Sequence, residues 1–154
     1  MSPDLHPGAQ LESLFRHIAD TRMQGIPILN PALQVEAIGF RQWQGPQGLL
    51  WVGVLLTPWF MNLLLLPAAA DSLPAVPSGG EVVVPLPGDA LPFMAGHEAA
   101  LGDYRLCSLF SPVLQFADQD SARSTAEEIL KLMFPPAQPA APDLSRRRLF
   151  GLGA

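Results

Sequence analysis

The sequence predicts an α+β fold: a two-layer domain in which an antiparallel sheet of about four to six strands carries an N-terminal and a C-terminal helix on one face. Three observations predict it. Two segments, one near each end, repeat apolar residues at helical spacing. Short apolar runs separated by Pro and Gly turns lie between them. The longest uncharged run, Leu49–Leu66, is broken at its midpoint in a way that favours two strands over one membrane span.

The first helix is expected from about Ala9 to Met23. Leu11, Leu14, Phe15, Ile18, Ala19 and Arg22 recur at 3-4 spacing, while Glu12, Arg16 and Asp20 point outward. Gly25 and Pro27 stop it, and Asn30-Pro31 makes a turn. Leu33–Phe40 is the first expected strand. Gln44–Gly48 is a turn leading into LLWVGVLLTPWFMNLLLL, in which eight of 18 residues are leucine. That length suffices for a membrane helix, but Thr57-Pro58 sits at its centre, where proline costs a helix about 3 kcal/mol. Trp59 is central rather than interfacial, and no Lys/Arg cluster flanks the run. Two strands, Leu49–Thr57 and Phe60–Leu66, follow.

Residues 67–80 form a Pro- and Ala-rich loop. Glu81–Val84 is a short strand, confined to a sheet edge by Pro85 and Pro87. After the Gly102-Asp103 turn, Tyr104–Phe110 is a strand closed by Ser111-Pro112. The second helix runs from about Asp118 to Phe134, capped by Asp118, Asp120 or Ser121. Its stripe is Ala122, Ala126, Ile129, Leu130 and Met133, and Pro135-Pro136 ends it. Residues 1–134 are thus one domain. Residues 135–154 are an extended Pro/Ala-rich spacer and a basic tail, expected to be disordered.

Composition narrows the function. The chain is 49% hydrophobic and only 15% charged, which leaves apolar surface for a partner. Its net charge of −5 argues against nucleic acid as partner. Residues 1–142 hold six Lys/Arg against 13 Asp/Glu, whereas residues 143–154 hold three Arg against one Asp. With a single cysteine, Cys107, no internal disulfide forms. No secretory signal is visible, so a cytoplasmic location is expected.

Catalytic signatures are missing: there is no P-loop, nucleophile elbow or dinucleotide fingerprint. His97-Glu98 opens like a zinc helix, but no second His follows at the required spacing. His6, His17 and His97 are scattered, so neither metal nor cofactor is expected. Cys107 lies in an apolar strand as a small hydrophobe; a thiol-dependent redox or enzyme accessory role through it is the alternative function. Trp51, Trp59 and Phe60 are expected in the core, and Glu127-Glu128 on a solvated helix face.

The tail carries one more pattern. Ser145-Arg146-Arg147-Arg148-Leu149-Phe150 resembles the centre of a twin-arginine export signal with Leu and Phe exchanged. Only Gly151–Ala154 follow it, so a working signal is not expected; a flexible basic terminus is one reading and mimicry of a partner's signal the other.

Taken together, NPALQVEAIGF (Asn30–Phe40), TPWFMNLLLLP (Thr57–Pro67), LGDYRLCSLFSPVLQF (Leu101–Phe116) and the SRRRLF tail resemble the HybE/HupJ family of nickel-iron hydrogenase assembly chaperones. The resemblance covers nearly the whole chain, and its TPWFMN and CSLFSP segments are specific. It implies a non-enzymatic cytoplasmic chaperone without a cofactor. Its implied partner is the hydrogenase small-subunit precursor and that precursor's twin-arginine signal peptide, with the large subunit as a further partner. Some relatives are linked to a rubredoxin, whose paired CxxC motifs this chain lacks. The implied partner-binding residues are Asn30, Pro31, Pro58, Trp59, Phe60, Met61, Asn62, Ser108, Phe110, Ser111 and Pro112. Ser145, Arg146, Arg147 and Phe150 form the twin-arginine-like tail.

If the tail competes with the client for one site, removing Asp143–Ala154 raises client affinity severalfold, as calorimetry would show. Unchanged or weaker binding rules out such competition.

Overall fold

The computed structural model describes residues 6–136 of the 154-residue chain. The tail pattern and most of the proposed spacer lie outside these residues. Helix α1 (Gly8–Thr21) precedes five strands, β1 (Glu36–Gly45), β2 (Gly48–Leu56), β3 (Met61–Pro67), β4 (Glu81–Pro85) and β5 (Ala90–Glu98). Strand β6 (Gly102–Phe110) and helix α2 (Gln119–Met133) complete the element order. The strands form one antiparallel sheet in the order β1-β2-β3-β6-β5-β4. Two meanders therefore meet at β3 and β6, and the 68–80 loop carries the chain from the middle of the sheet to its far edge.

The α+β class, the six strands and the two helices match the expectation. The layering does not. Leu11, Phe15 and Ile18 of α1 pack with Trp51, Leu55, Leu64 and Leu66, on one face of the sheet. Ala122, Ala126 and Leu130 of α2 pack with Leu50, Val52, Val54, Leu63 and Leu65, on the other. The helices thus sandwich the sheet instead of sharing a face. The cause is visible in β2 and β3: nearly every residue is buried on both faces, so their apolar runs are continuous rather than alternating.

Two further expectations shift. The first strand begins at Glu36 rather than Leu33 and continues through Arg41–Gly45. Its register slips between Ile38 and Arg41, where Gly39 adopts a positive φ of 65°. Leu33 and Val35 instead lead into the strand and bury against opposite faces. Strand β5 was not expected at all, because Pro92 and Gly96 mask an alternation in which Phe93 is wholly buried and its neighbours are exposed. His97-Glu98 consequently lies on a strand, and the His97 ring pairs with Asp103 at 2.8 Å. The edge position foreseen for β4 holds.

Helix α2 is capped by Asp118, whose Oδ1 accepts from the Ser121 N–H at 2.8 Å. Its first turns are tied to β1 by a fork: Arg123 donates to both Glu36 carboxylate oxygens at 2.8 and 3.0 Å, and Gln119 Nε2 adds a bond of 2.8 Å. Its far end bridges both sides of the sheet. Phe134 packs edge-on against Trp43 of β1 at 5.3 Å, while the Gly88 N–H between β4 and β5 donates to the Met133 carbonyl at 2.8 Å. The sheet therefore curls around α2.

Burial would raise the Glu36 pKa, but hydrogen bonds from Arg123 and Gln119 and the Arg123 charge hold it below the ordinary 4.5. A depressed folded pKa stabilises the protein above the unfolded value and is lost as pH falls through the folded value. Glu36→Gln is therefore expected to lower stability at neutral pH. The gap from the parent narrows as pH drops below about 4, as urea titrations at a series of pH values would show.

Candidate functional site

Asn30 organises one end of the molecule. It is 6% exposed, yet its side chain is fully bonded. Its Nδ2 donates to the carbonyls of Val113 at 3.0 Å and Phe116 at 2.8 Å, and its Oδ1 accepts from the Ala32 N–H at 2.9 Å. Its own N–H donates to the Pro58 carbonyl at 2.8 Å. One residue thus ties the entry to β1, the β2–β3 turn and the exit from β6.

The β2–β3 turn is built by Thr57. Its N–H donates to the Phe60 carbonyl at 2.9 Å, closing a hairpin around Pro58 and Trp59. Its hydroxyl oxygen accepts from the N–H groups of Trp59 at 3.2 Å and Phe60 at 3.0 Å. Proline supplies the fixed φ at the first turn position, and the buried threonine satisfies donors the turn would otherwise orphan.

All three sequence segments that suggested a site therefore converge on this clasp. Their side chains divide into two groups. Pro31, Ser108, Ser111 and Pro112 are exposed, and Pro58, Trp59, Phe60 and Phe110 are half-buried, with Ser111-Pro112 a cis peptide. Phe60 packs edge-on with Phe15 at 6.0 Å and Trp59 at 5.5 Å, and Phe110 with Phe116 at 5.2 Å. Met61, Asn62 and Asn30 are buried beneath these exposed side chains. Ser145, Arg146, Arg147 and Phe150 lie outside the described residues.

The sequence reading missed the residues that make this end sticky. Ile28 is 44% and Leu114 55% exposed, and Ile26, close to Ile28 in the chain, is exposed too. All three lie in the loops that Asn30 joins. Isolated apolar residues in loops carry no pattern in a sequence; only the clasp gathers them.

Cys107 is buried, and burial, then the Glu81 charge, push its thiol pKa up, which makes it a poor nucleophile. Among the described residues no group of three His, Cys, Asp or Glu could hold a metal, and no helix is long and apolar enough to cross a membrane. Two open cavities of about 510 and 550 Å³ lie away from the clasp, beside Phe134 at the end of α2 and against the 67–73 loop.

A family model described as "[NiFe]-hydrogenase assembly, chaperone, HybE" matches residues 6–152. The chain belongs to the HybE family. Among its relatives, the hydrogenase expression/formation protein HupT of Azotobacter chroococcum is 40% identical, with 95% of each chain covered. Protein HoxT of Cupriavidus necator is 42% identical over 86% of this chain and 76% of its own. The solution structure of HybE from Escherichia coli shares the fold, with a TM-score of 0.64 at 24% identity, covering 98% of this chain and 93% of that one. Membership assigns the chain to hydrogenase maturation as an assembly chaperone.

Asn30→Ala is expected to lower stability by about 2–3 kcal/mol, because two loop carbonyls and one N–H lose buried partners. Asn30→Asp costs at least as much, since a carboxylate cannot donate to the Val113 and Phe116 carbonyls. Urea unfolding checks both. A loss under about 0.5 kcal/mol would contradict the clasp.

Proposed function

We propose that this HybE-family chain is a cytoplasmic, non-enzymatic chaperone that binds the hydrogenase small-subunit precursor before export. It engages the precursor's twin-arginine signal peptide, and the large subunit is a further partner. The observation that carries this reading is the apolar surface left uncovered around the Asn30 clasp, on Ile26, Ile28 and Leu114.

The chemistry of such a client suits this chain. A signal peptide offers arginines followed by an apolar stretch. The clasp offers apolar side chains held rigidly, so little ordering entropy is lost on binding. The body offers negative charge. Each described Lys and Arg already has a hydrogen-bond or ion-pair partner within the fold, while Asp20, Asp71, Glu81 and Glu127 have no basic partner among the described residues. The uncompensated charge is therefore acidic and attracts a basic segment.

Pull-down with the small-subunit precursor and with the same subunit lacking its signal tests this directly. The precursor is expected to bind tighter. Replacing its twin arginines by lysines is expected to weaken binding by roughly tenfold, because the guanidinium fork is lost while the charge remains. Equal affinity for precursor and signal-less subunit would remove the signal peptide from the reading.

A further inference from the structure

Beside the clasp the sheet splits. Strands β5 and β6 pair from Glu98↔Gly102 to Met94↔Leu106, and there the ladder stops. On its other side β6 stays paired with β3 as far as Met61↔Phe110, and β5 stays paired with β4 as far as Pro85↔Ala90. Over Cys107–Phe110, β6 thus presents a free backbone edge inside the sheet. Continuing the register would set Pro92 opposite Ser108, and Pro92 has no N–H to give. One side of the fork is closed, because Cys107 and Phe93 bury in the core that α2 covers. The side facing α1 is open: Val83 is 65% and Met94 45% exposed there, and Ser108 is exposed.

The other edges of the sheet are blunted. The Ala37 N–H on β1 donates to Glu12 of α1, and the Gln34 backbone just before β1 exchanges two bonds with Gln119 of α2. Strand β4 is short and ends in proline.

Two polar groups wait beside it. Asn62 is the register partner of Ser108 and is 6% exposed, yet its amide has no hydrogen-bond partner among the described residues. Native cores rarely leave an amide in that state. Glu81, the register partner of Met94, is exposed without a basic partner, and its charge reaches Cys107 on β6.

We propose that this fork is a strand-addition site, and that an extended, arginine-bearing segment of the client enters it. The segment pairs its backbone with Cys107–Phe110 and places apolar side chains on Val83, Met94 and Leu106. Asn62 and Ser108 hydrogen-bond it, and an arginine meets Glu81. The slot points along β6 toward Phe110 and the clasp. Arginines at the Glu81 end and an apolar stretch at the clasp end match the order of a twin-arginine signal, so the proposal rests on the function proposed above and locates it.

The test uses the full chain with the small-subunit precursor. Hydrogen exchange is expected to slow in Cys107–Phe110 on binding. Glu81→Lys and Met94→Asp, both at exposed positions, are each expected to raise the Kd about tenfold, whereas Glu128→Lys at an exposed, ion-paired position on α2 leaves it within about twofold. Asn62→Leu, which removes the unpartnered amide, is expected to weaken client binding without lowering the unfolding midpoint. Precursor binding with protection confined to the clasp loops, and with Kd unmoved by Glu81→Lys and Met94→Asp, overturns the fork and leaves the proposed function standing. Fork protection without client, accompanied by a dimer in sedimentation, assigns the slot to a second copy and also overturns it. No binding of the precursor by the parent chain defeats both readings.

Discussion

The Asn30 side chain is the constraint on which this end of the protein depends. Loops carry backbone donors and acceptors that a sheet cannot satisfy, and burying them unpaired costs free energy. A single amide, with two donors and one acceptor, answers three such groups in two loops, and the Asn30 backbone N–H reaches a third. Thr57 does the same within the β2–β3 turn. With their polar backbone groups settled internally, these loops can expose isoleucine, leucine and aromatic side chains without becoming disordered. A rigid apolar surface is what a chaperone needs to hold a client without itself collapsing onto it.

The rest of the architecture distributes apolar surface unevenly. β2 and β3 are buried on both faces, so the sheet needs a helix on each. Helix α2 covers its face and is pinned at both ends, by the Glu36–Arg123 fork and by Phe134 on Trp43. Helix α1 packs its stripe over β1 to β3 in a core that Tyr104 and Leu101 join, and adds polar contacts at the β5–β6 turn, Arg22 to Glu98 and Gln10 to the Ala100 carbonyl. The β4–β5 part of that face keeps Val83 and Met94 in solvent. An all-round cover would give a more stable domain with nothing to offer a partner.

Edge control shows the same economy. Side chains from both helices occupy the approach to β1, and proline ends β4. Such devices keep a sheet from pairing indiscriminately. Their absence between β5 and β6 is local and sits where polar groups and a free carboxylate are close at hand.

The sequence by itself determined the class, the elements with strong periodicity and the breaks between them. Leu11, Phe15 and Ile18 announce a helix, and Pro58 with Asn62 turns a would-be membrane span into a hairpin. Pro85 places β4 at an edge, and the segments around Asn30, Thr57 and Ser111 identify a family. These are local signals, fixed by spacing and backbone chemistry. Only the tertiary structure decided what depends on partners distant in the chain. It put the helices on opposite faces, because continuous apolar strands do not say which face a helix takes. It recovered β5 from beneath Pro92 and Gly96, since pairing with two neighbours outweighs weak propensity. It sent Met61 inward and left Trp59 half-buried at the rim. And it made Asn30 the centre of the site, because an amide's worth lies in carbonyls more than 80 residues away.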